Sequence, residues 1–309
     1  MPEIIKVSSL CKTFGKLQAV NNLSFSVNEG DVYGFLGQNG AGKSTTIRML
    51  LTLIAPSSGT IELFGKSLSS HRKEILSQIG AMIERPDLYK YLSAYDNLKI
   101  FAQLSGCNVT PELIMNQLEI VGLANRAKDK VRGFSQGMKQ RLGIAIALIH
   151  NPKLVILDEP TNGLDPQGIA DIRNLIKSLS TEHNKTVVVS SHLLNEIEQL
   201  ATRILIIDKG SKIIEGTTQE LLDPNHTIVD IETNDAESAH KKLTASTIWQ
   251  SYLKPLSNNI VSLTLHKNQI PSLHKYLVEM DIDVFSLQQR QSLEDYFLKV
   301  TSGNYVQAI

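Results

Sequence analysis

Residues 37–44 have the types and the spacing of a phosphate-binding loop. They read GQNGAGKS and satisfy the pattern G-x-x-x-x-G-K-[ST] at each defined position. Glycines let backbone N–H groups turn toward phosphate oxygens, Lys43 can reach the outer phosphates, and the Ser44 hydroxyl can ligate Mg²⁺. The runs VYGFLG before the loop and TTIRMLLTL after it supply the strand and helix that distinguish such a loop from an ordinary glycine-rich turn. The residues expected around the phosphates are Gly37, Asn39, Gly40, Ala41, Gly42, Lys43, Ser44 and Thr45.

A second motif with acidic residues follows in LVILDEP, residues 154–160. Its apolar residues predict a buried strand, and α/β sheets bind ligands beyond the carboxyl ends of their strands. Asp158 is therefore a candidate ligand of Mg²⁺ through water, and Glu159 a candidate base for an attacking water. Two surface acids at a strand end are the alternative. Alone the motif is weak evidence, but a phosphate-binding loop upstream strengthens it.

A third stretch, VRGFSQGMKQRLGIA at residues 131–145, contains a predicted helix start. Ser135 is of a type that caps helix N-termini, and apolar residues at helical spacing follow it. A helix start presents unpaired N–H groups and a partial positive charge, which suit an anion. The segment has no obvious phosphate loop of its own, so it raises the question of which molecule holds the anion.

The totals exclude several classes of protein. A length of 309 residues suits two domains, and 31 Lys+Arg against 31 Asp+Glu argue against a dedicated nucleic-acid surface. The longest apolar run, residues 142–149, is far shorter than the roughly 20 residues that cross a bilayer. The first residues lack the regions of a signal peptide. Cys11 and Cys107 lack metal-ligand spacing and indicate free thiols. We expect a soluble, cytosolic chain.

The periodicity predicts an α/β domain over residues 1–222 and a small α+β domain over 223–309, divided near LLDPNHT. Strands are expected at residues 4–10, 23–27, 32–37, 60–65, 79–83, 154–160, 186–192 and 201–216, with a mainly helical part from about 85 to 150. The second domain reads strand 227–233, helix 236–245, strand 249–254, strand 259–266, helix 270–280, strand 283–289 and helix 292–301. Its first six elements have the order of a ferredoxin-like split β-α-β unit.

Together these motifs resemble the ATP-binding subunit of ABC transporters over about residues 1–222. FSQGMKQRLGIA resembles the family signature, usually close to LSGGQ, and TNGLDP and SSH resemble the D-loop and the end of the switch region. A phosphate loop alone also occurs in kinases, GTPases and helicases. The signature stretch separates this family from them, and its xSxGMKQRLGIA form resembles the bacitracin-resistance and lantibiotic-immunity group.

The resemblance implies a homodimer in which each ATP lies between one chain's phosphate loop and the other chain's signature helix. Ser135 and the N–H of Gly137 would then contact the γ-phosphate in trans. Asp165 would link the two sites, and His192 would bind the γ-phosphate and help to orient water. Phe14 stands where the family places an aromatic side chain on adenine, although an ordinary core phenylalanine is the alternative.

Two positions depart from the family pattern. Gln136 replaces the first signature glycine, either by drift at a tolerant position or as a subfamily trait. Glu84 aligns with the glutamine that couples the ATP site to the membrane partner, and it is a candidate Mg²⁺ ligand unless it points to solvent. After it, RPDLYKYLSAYDNL would face the membrane subunit. Its groove-lining candidates, for which core packing is the alternative, are Leu88, Tyr89, Tyr91 and Leu92.

The resemblance therefore implies an ATP-hydrolysing subunit on the inner face of the cell membrane. It would close around two Mg·ATP and drive export through a separate integral membrane permease, and the resemblance to the bacitracin-resistance and lantibiotic-immunity group indicates a peptide antibiotic as the exported molecule. A soluble ATPase of this class that acts on ribosomes or DNA is one rival. One cassette, neutral charge and the absence of a heptad run oppose it. A regulator that binds ATP without transport is another rival, which Glu159 and His192 oppose.

Overall fold

The computed structural model describes residues 2–84, 86–221, 227–257 and 259–290. The chain divides into two compact units between Thr218 and Gln219, and each is described by itself. The expected boundary residues 222–226 and the expected helix 292–301 lie outside the described residues.

Short apolar runs form the strands of the first unit. Its strands are β1 (Glu3–Phe14), β2 (Leu17–Asn28), β3 (Val32–Leu36), β4 (Ser58–Leu63), β5 (Lys66–Ser67), β6 (Ile79–Ile83), β7 (Leu154–Asp158), β8 (Thr186–Ser191), β9 (Arg203–Asp208) and β10 (Ser211–Thr217). Each strand expected in this unit is present, and β5 is an addition. The residues of β3, β7 and β8 are buried throughout, as expected for central strands covered on both faces.

The strands form two sheets. One has the order β2-β1-β4-β5, and its paired strands are antiparallel. The other has the order β10-β9-β3-β8-β7-β6, in which only the β9–β10 pair is antiparallel. Aromatic side chains fill the core that the two sheets share: Phe25 of β2 contacts Tyr33 and Phe35 of β3. The Tyr33 hydroxyl donates to Glu215 at 2.8 Å, and burial raises the pKa of Tyr33.

The helices follow the strands in the order expected of an α/β unit. They are α1 (Lys43–Leu50), α2 (Arg72–Leu76), α3 (Ala94–Leu104), α4 (Pro111–Ile120), α5 (Gln136–Leu148), α6 (Pro166–Thr181) and α7 (Leu194–Leu200). A short helix, α8 (Thr218–Leu221), begins at the last residue of the first unit. The mainly helical part expected from about residue 85 to 150 is therefore α3, α4 and α5, which pack on one another.

Helix α5 packs directly against strand β6 through two glycines. A Cβ on Gly80 would lie 2.0 Å from the carbonyl oxygen of Ala147. A Cβ on Gly143 would lie 2.7 Å from the sulfur of Met82 and from Pro86. Backbone therefore meets backbone here, and the position of α5 is fixed by the strand on which it rests.

The second unit contains a three-stranded antiparallel sheet with helices over one face. Its elements are β11 (Thr227–Thr233), α9 (Ala236–Thr244), β12 (Val261–Leu265), α10 (Ile270–Glu279) and β13 (Val284–Arg290), with the strand order β12-β11-β13. Their core includes Val229, Leu263 and Leu273.

The prediction of a strand at residues 249–254 was wrong. Residues Gln250–Tyr252 form a 3-10 turn, and only Leu253 pairs with its neighbour Leu263, as an isolated antiparallel bridge. The rings of Trp249 and Tyr252 pack together in the same core. A spacing of three residues toward one side suits a 3-10 turn, whereas a strand would alternate with a period of two.

We expect Gly80→Ala to destabilise the first unit, because the new Cβ would overlap the Ala147 carbonyl. Overpacking costs about 1–3 kcal/mol, so the melting temperature should fall by about 3–10 °C. Circular dichroism would measure it. Gly133→Ala is the control, because nothing lies within 4 Å of a Cβ placed there. Equal melting temperatures for the two variants would contradict the packing of α5 on β6.

Candidate functional site

The candidate site lies beyond the carboxyl ends of four adjacent parallel strands. Strand pairing sets Leu36 of β3 beside Ser191 of β8, and it sets Asp158 of β7 between Ser190 of β8 and Ile83 of β6. The chain continues from these strand ends into the phosphate loop, the switch histidine, the second acidic residue and Glu84. Segments that are distant in sequence therefore meet at the sheet edge where α/β proteins bind ligands.

The loop at residues 37–42 passes close to other backbone and then opens helix α1. A Cβ on Gly37 would lie 2.6 Å from the carbonyl oxygen of Ile207. Gly42, the N-cap of α1, has a φ of 104°, which favours glycine, and a Cβ there would lie 2.6 Å from the Ala19 oxygen. The first N–H groups of α1 have no intrahelical acceptor, so they are available to phosphate oxygens. This region contains the predicted residues Asn39, Gly40, Ala41, Ser44 and Thr45.

Lys43 is buried, with an exposed fraction of 5%, and it connects the loop to the catalytic candidates. Its ammonium donates to the carbonyl oxygen of Gly37 at 2.7 Å and lies 3.2 Å from a carboxylate oxygen of Glu159. A buried ammonium requires such partners. Lys43 thus places a positive charge where phosphate oxygens would approach the loop.

Asp158 fits a divalent cation by its burial and by its unpaired oxygen. The side chain is 1% exposed, and its Oδ1 accepts a hydrogen bond of 2.5 Å from the Ser190 hydroxyl. Its Oδ2 is buried and has no hydrogen-bond partner among the described residues. An unpaired buried carboxylate oxygen is costly unless a cation or a donor meets it, and carboxylates and hydroxyls are ligands that Mg²⁺ accepts.

Glu159 lies between two donors. One carboxylate oxygen is 3.2 Å from the Lys43 ammonium, and the other is 2.8 Å from Nδ1 of His192. Its backbone N–H donates to the Ser190 hydroxyl at 2.9 Å, and its φ of 50° is uncommon for a residue with a side chain. The chain therefore turns sharply after β7 and directs this carboxylate toward the phosphate loop and the switch histidine. A carboxylate accepts hydrogen bonds but does not donate them, so Nδ1 of His192 is the donor in its contact with Glu159.

The signature stretch begins helix α5, as the sequence predicts. The Ser135 hydroxyl accepts from the N–H of Met138 at 3.2 Å, which confirms the N-cap. Gln136 and Gly137 occupy the first turn, and a Cβ on Gly137 would meet only Leu164, at 4.0 Å. The helix start is thus accessible to a group approaching from outside. Asp165 caps α6 by accepting from the N–H of Gly168 at 3.0 Å.

Glu84 and Phe14 are both exposed. Glu84 follows the end of β6 with a φ of 59°, and its carboxylate forms an ion pair with Arg48 of α1. The Glu84 side chain is 67% exposed, so this pair contributes little stability by itself. Phe14 ends β1, is 47% exposed, and has the Lys12 ammonium 4.9 Å from its ring centre. It is therefore not an ordinary core phenylalanine.

The segment after Glu84 is held by one buried amide. Asn97 accepts from the N–H of Tyr89 at 2.9 Å and donates to the carbonyl oxygens of Tyr89 and Ser93. Tyr89 and Tyr91 are exposed, with fractions of 52% and 79%. Leu88 and Leu92 are half-buried. Core packing therefore accounts for part of the leucine side chains but not for the two tyrosines.

Two contributions to the site were absent from our sequence interpretation. Ser190 binds both Asp158 and the backbone of Glu159, although the sequence showed it only as the first letter of SSH. Thr161 donates to Glu196 at 2.5 Å. A signal for Ser190 existed, because a hydroxyl residue at the end of one central strand reaches its neighbour. None existed for the pairing of Thr161 with Glu196.

Known proteins share this architecture and these motifs. Residues 20–162 match the family described as ABC transporter. The chain is 44% identical to the bacitracin transport ATP-binding protein BcrA of Bacillus licheniformis, over 99% of this chain and 100% of that protein. It is 47% identical over 212 residues to the lantibiotic transport ATP-binding protein SrtF of Streptococcus pyogenes, which is 69% of this chain and 90% of that protein.

Solved structures give the same fold. An ATP-binding cassette solved as a dimer with ADP and phosphate has a TM-score of 0.62 and 26% identity, covering 70% of this chain and 99% of that one. CbiO1 from Clostridium perfringens, part of an ABC transporter complex, has a TM-score of 0.66 and 24% identity, covering 80% and 97%.

The fold and the motifs thus define an ABC-type ATPase cassette with an additional C-terminal β-rich unit. This chain belongs to the ABC transporter family as an ATP-binding subunit.

Glu84 gives a prediction about Mg²⁺. If its carboxylate lies near bound Mg·ATP, it should favour the metal and repel the γ-phosphate when the metal is absent. ATP affinity should therefore depend on Mg²⁺ about 3- to 10-fold more steeply in the native chain than in Glu84→Gln. Titration of a fluorescent ATP analogue with and without Mg²⁺ would measure it. Glu62→Gln removes an exposed carboxylate on β4 and is the control. Equal Mg²⁺ dependence in the native chain and Glu84→Gln would remove Glu84 from the metal site.

Proposed function

We propose that this ATPase subunit works as a homodimer that closes around two Mg·ATP and drives export through a separate integral membrane permease. The cluster of Lys43, Asp158, Glu159 and His192 at one sheet edge carries the proposal. It contains a cation for phosphate, an unpaired buried carboxylate oxygen and a carboxylate held by histidine. The related cassette solved as a dimer with ADP and phosphate supports the two-copy arrangement.

Each residue of the cluster has a distinct proposed role in hydrolysis. Lys43 and the first N–H groups of α1 hold the outer phosphates and stabilise the charge that develops on them. Asp158 and the Ser44 hydroxyl hold Mg²⁺, which supplies charge neutralisation on the phosphates. Glu159 accepts a proton from the attacking water, and His192 keeps Glu159 oriented through the 2.8 Å contact. Positioning and charge, rather than covalent chemistry, then account for the catalysis.

The signature helix completes the proposed site in trans. The Ser135 hydroxyl and the N–H of Gly137 lie at the accessible start of α5. A second copy would present its phosphate loop to them, with the phosphates at the positive end of the helix dipole. Asp165 then connects the two sites across the dimer, and Phe14 stacks on adenine.

The membrane partner is supported by the exposed segment after Glu84. No helix among the described residues is both long and apolar enough to span a bilayer. Tyr89 and Tyr91 are exposed on a loop held firmly by Asn97, as suits a surface that receives a short partner helix. We place the subunit on the cytoplasmic face of the membrane. The names of the bacitracin and lantibiotic relatives favour export of a peptide antibiotic.

We interpret the C-terminal unit as a ferredoxin-like domain with a reduced edge strand. We place the domain division between residues 222 and 223, four residues beyond the division of the two compact units. The observed strand order β12-β11-β13 is that of the split β-α-β unit without its second strand. The bridge from Leu253 to Leu263 occupies the place of that missing strand.

A soluble ATPase of the same class without transport is the second candidate. Neutral net charge opposes action on nucleic acid, and the intact hydrolysis cluster opposes a purely regulatory role. Purification of the tagged chain from its own membranes distinguishes the candidates. Recovery of a multi-span membrane protein supports the transporter subunit.

Glu159→Gln should abolish turnover and keep ATP binding. The amide cannot accept the proton of the attacking water, whereas the phosphate loop is unchanged. We expect kcat to fall by at least about 100-fold and an ATP-bound dimer to accumulate, seen by size-exclusion chromatography. Glu182→Gln, a substitution at the C-cap of α6, is the control. Turnover near the native rate in Glu159→Gln would show that Glu159 is not the base.

The start of α5 can be tested in the same dimer assay. Ser135→Ala removes a cap and a phosphate donor together, so the ATP concentration needed for dimerisation should rise about 10-fold. Gln136→Gly should leave it unaltered if Gln136 is merely tolerated, and should weaken dimerisation if its amide contacts phosphate or the facing loop. An unchanged Ser135→Ala dimer would separate this helix from the ATP site.

A further inference from the structure

A partly buried hydrogen bond connects the loop after Glu159 with the helix after His192. Thr161 lies two residues beyond Glu159 in the chain, and Glu196 lies on α7, four residues beyond His192. The Thr161 hydroxyl donates to Oε2 of Glu196 at 2.5 Å. Thr161 is 8% exposed, so water has little access to this bond.

We infer that Thr161 and Glu196 are positioning residues that hold the loop of the catalytic carboxylate and the helix of the switch histidine as one unit. This inference rests on the proposed roles of Glu159 and His192. Neither Thr161 nor Glu196 is assigned contact with nucleotide. They act through the relative placement of the Glu159 carboxylate and the His192 ring.

Helix α7 provides a fixed base for this bond. Ile197, the residue after Glu196, is fully buried. It packs so closely on the central strand β3 that a Cβ on Gly34 would lie 2.4 Å from its Cγ2. Since β3 leads directly into the phosphate loop, the strand that positions this loop also positions Glu196 through α7. The bond from Thr161 therefore fixes the loop after Glu159 relative to the phosphate loop.

A second contact joins the same two segments farther along the chain. Asp165 caps α6, and Arg173 of α6 donates a hydrogen bond to the side chain of Gln199 on α7. The segment from Glu159 through Asp165 into α6 thus meets α7 at two places. The Arg173 contact is exposed and therefore weaker than the one Thr161 makes.

The other oxygen of Glu196 makes the Thr161 bond more important. Oε1 of Glu196 is buried and has no hydrogen-bond partner among the described residues. If the partly buried Glu196 carboxylate lost the Thr161 hydroxyl, it would keep no donor among those residues, which is unfavourable. Loss of the hydroxyl should therefore shift the segment rather than leave it in place.

The consequence should be specific to turnover. The phosphate loop and Lys43 are on a different segment, so ATP binding should persist. The angle between the Glu159 carboxylate and the His192 ring should change, and small misplacements of catalytic groups reduce rates substantially. The expected signature is a lower kcat with an unchanged KM for ATP.

The test uses the full chain with Thr161→Val, which removes the hydroxyl and keeps the shape, and Thr161→Ser, which keeps the hydroxyl. We expect Thr161→Val to lower kcat about 10-fold, with KM and the affinity for a fluorescent ATP analogue within about twofold of native. Thr161→Ser should recover most of kcat. Glu196→Ala and the double variant complete a cycle, in which the double variant should be no slower than Glu196→Ala alone.

Each outcome decides between the claims. Native kcat in Thr161→Val overturns the inference, as does a double variant whose losses multiply. A Thr161→Val protein that loses ATP affinity and melting temperature in proportion to kcat, without recovery in Thr161→Ser, also overturns it by indicating a general structural role. Glu159→Gln measured in parallel separates failure of this inference from failure of the proposed function. If it still turns over, the proposed hydrolysis site itself fails, whatever Thr161→Val shows.

Discussion

The register of four parallel strands is the constraint on which the site depends. Main-chain hydrogen bonds align the ends of β3, β8, β7 and β6, so that Leu36, Ser191, Asp158 and Ile83 stop at one edge of the sheet. A shift of two residues in any pair would move a catalytic side chain by about 6.6 Å along the strand, which is beyond hydrogen-bond reach. Because both faces of β3, β7 and β8 are buried, a one-residue slip of these three strands is also excluded, since it would exchange their packed faces. Packing of the apolar core thus fixes the positions of the catalytic candidates, although the apolar side chains take no part in the reaction.

Polar contacts then convert this alignment into a working arrangement of charges. The Ser190 hydroxyl donates to Asp158 and accepts from the backbone of Glu159, so one side chain of β8 sets two residues of β7. Glu159 in turn lies between Lys43 and His192. A buried lysine and a largely buried carboxylate are each unfavourable alone and compatible together. Phosphate would compete with Glu159 for Lys43, which gives a physical route by which nucleotide binding frees the carboxylate for its proposed role.

The sequence predicted the strands of the first unit and the loop, because buried runs and glycine patterns are local signals. It also predicted the Ser135 cap, which the structure confirms. It could not predict the bond of Thr161 to Glu196, since these residues are 35 positions apart and their meeting depends on sheet order. The Ser190 contacts were overlooked, although a hydroxyl residue at the end of a central strand was a signal for them. The prediction for residues 249–254 failed because a local signal was present but did not decide the structure. The aromatic composition of this segment favours a strand, but Trp249 and Tyr252 share one core, and tertiary packing overrode local propensity.

Strand β6 joins the two halves of the proposed composite site within one chain. Its end carries Glu84, which we propose for the site in cis, while Gly80 and Met82 pack against helix α5, whose start carries Ser135, proposed for the site in trans. The contact between Gly80 and Ala147 is backbone against backbone, so neither element can slide on the other without a clash. A displacement of the β6 backbone would therefore be passed to α5 as a movement of the whole helix. Packing between β6 and α5 is thus the physical connection between the two halves of the proposed site, and it needs no continuous chain of hydrogen bonds.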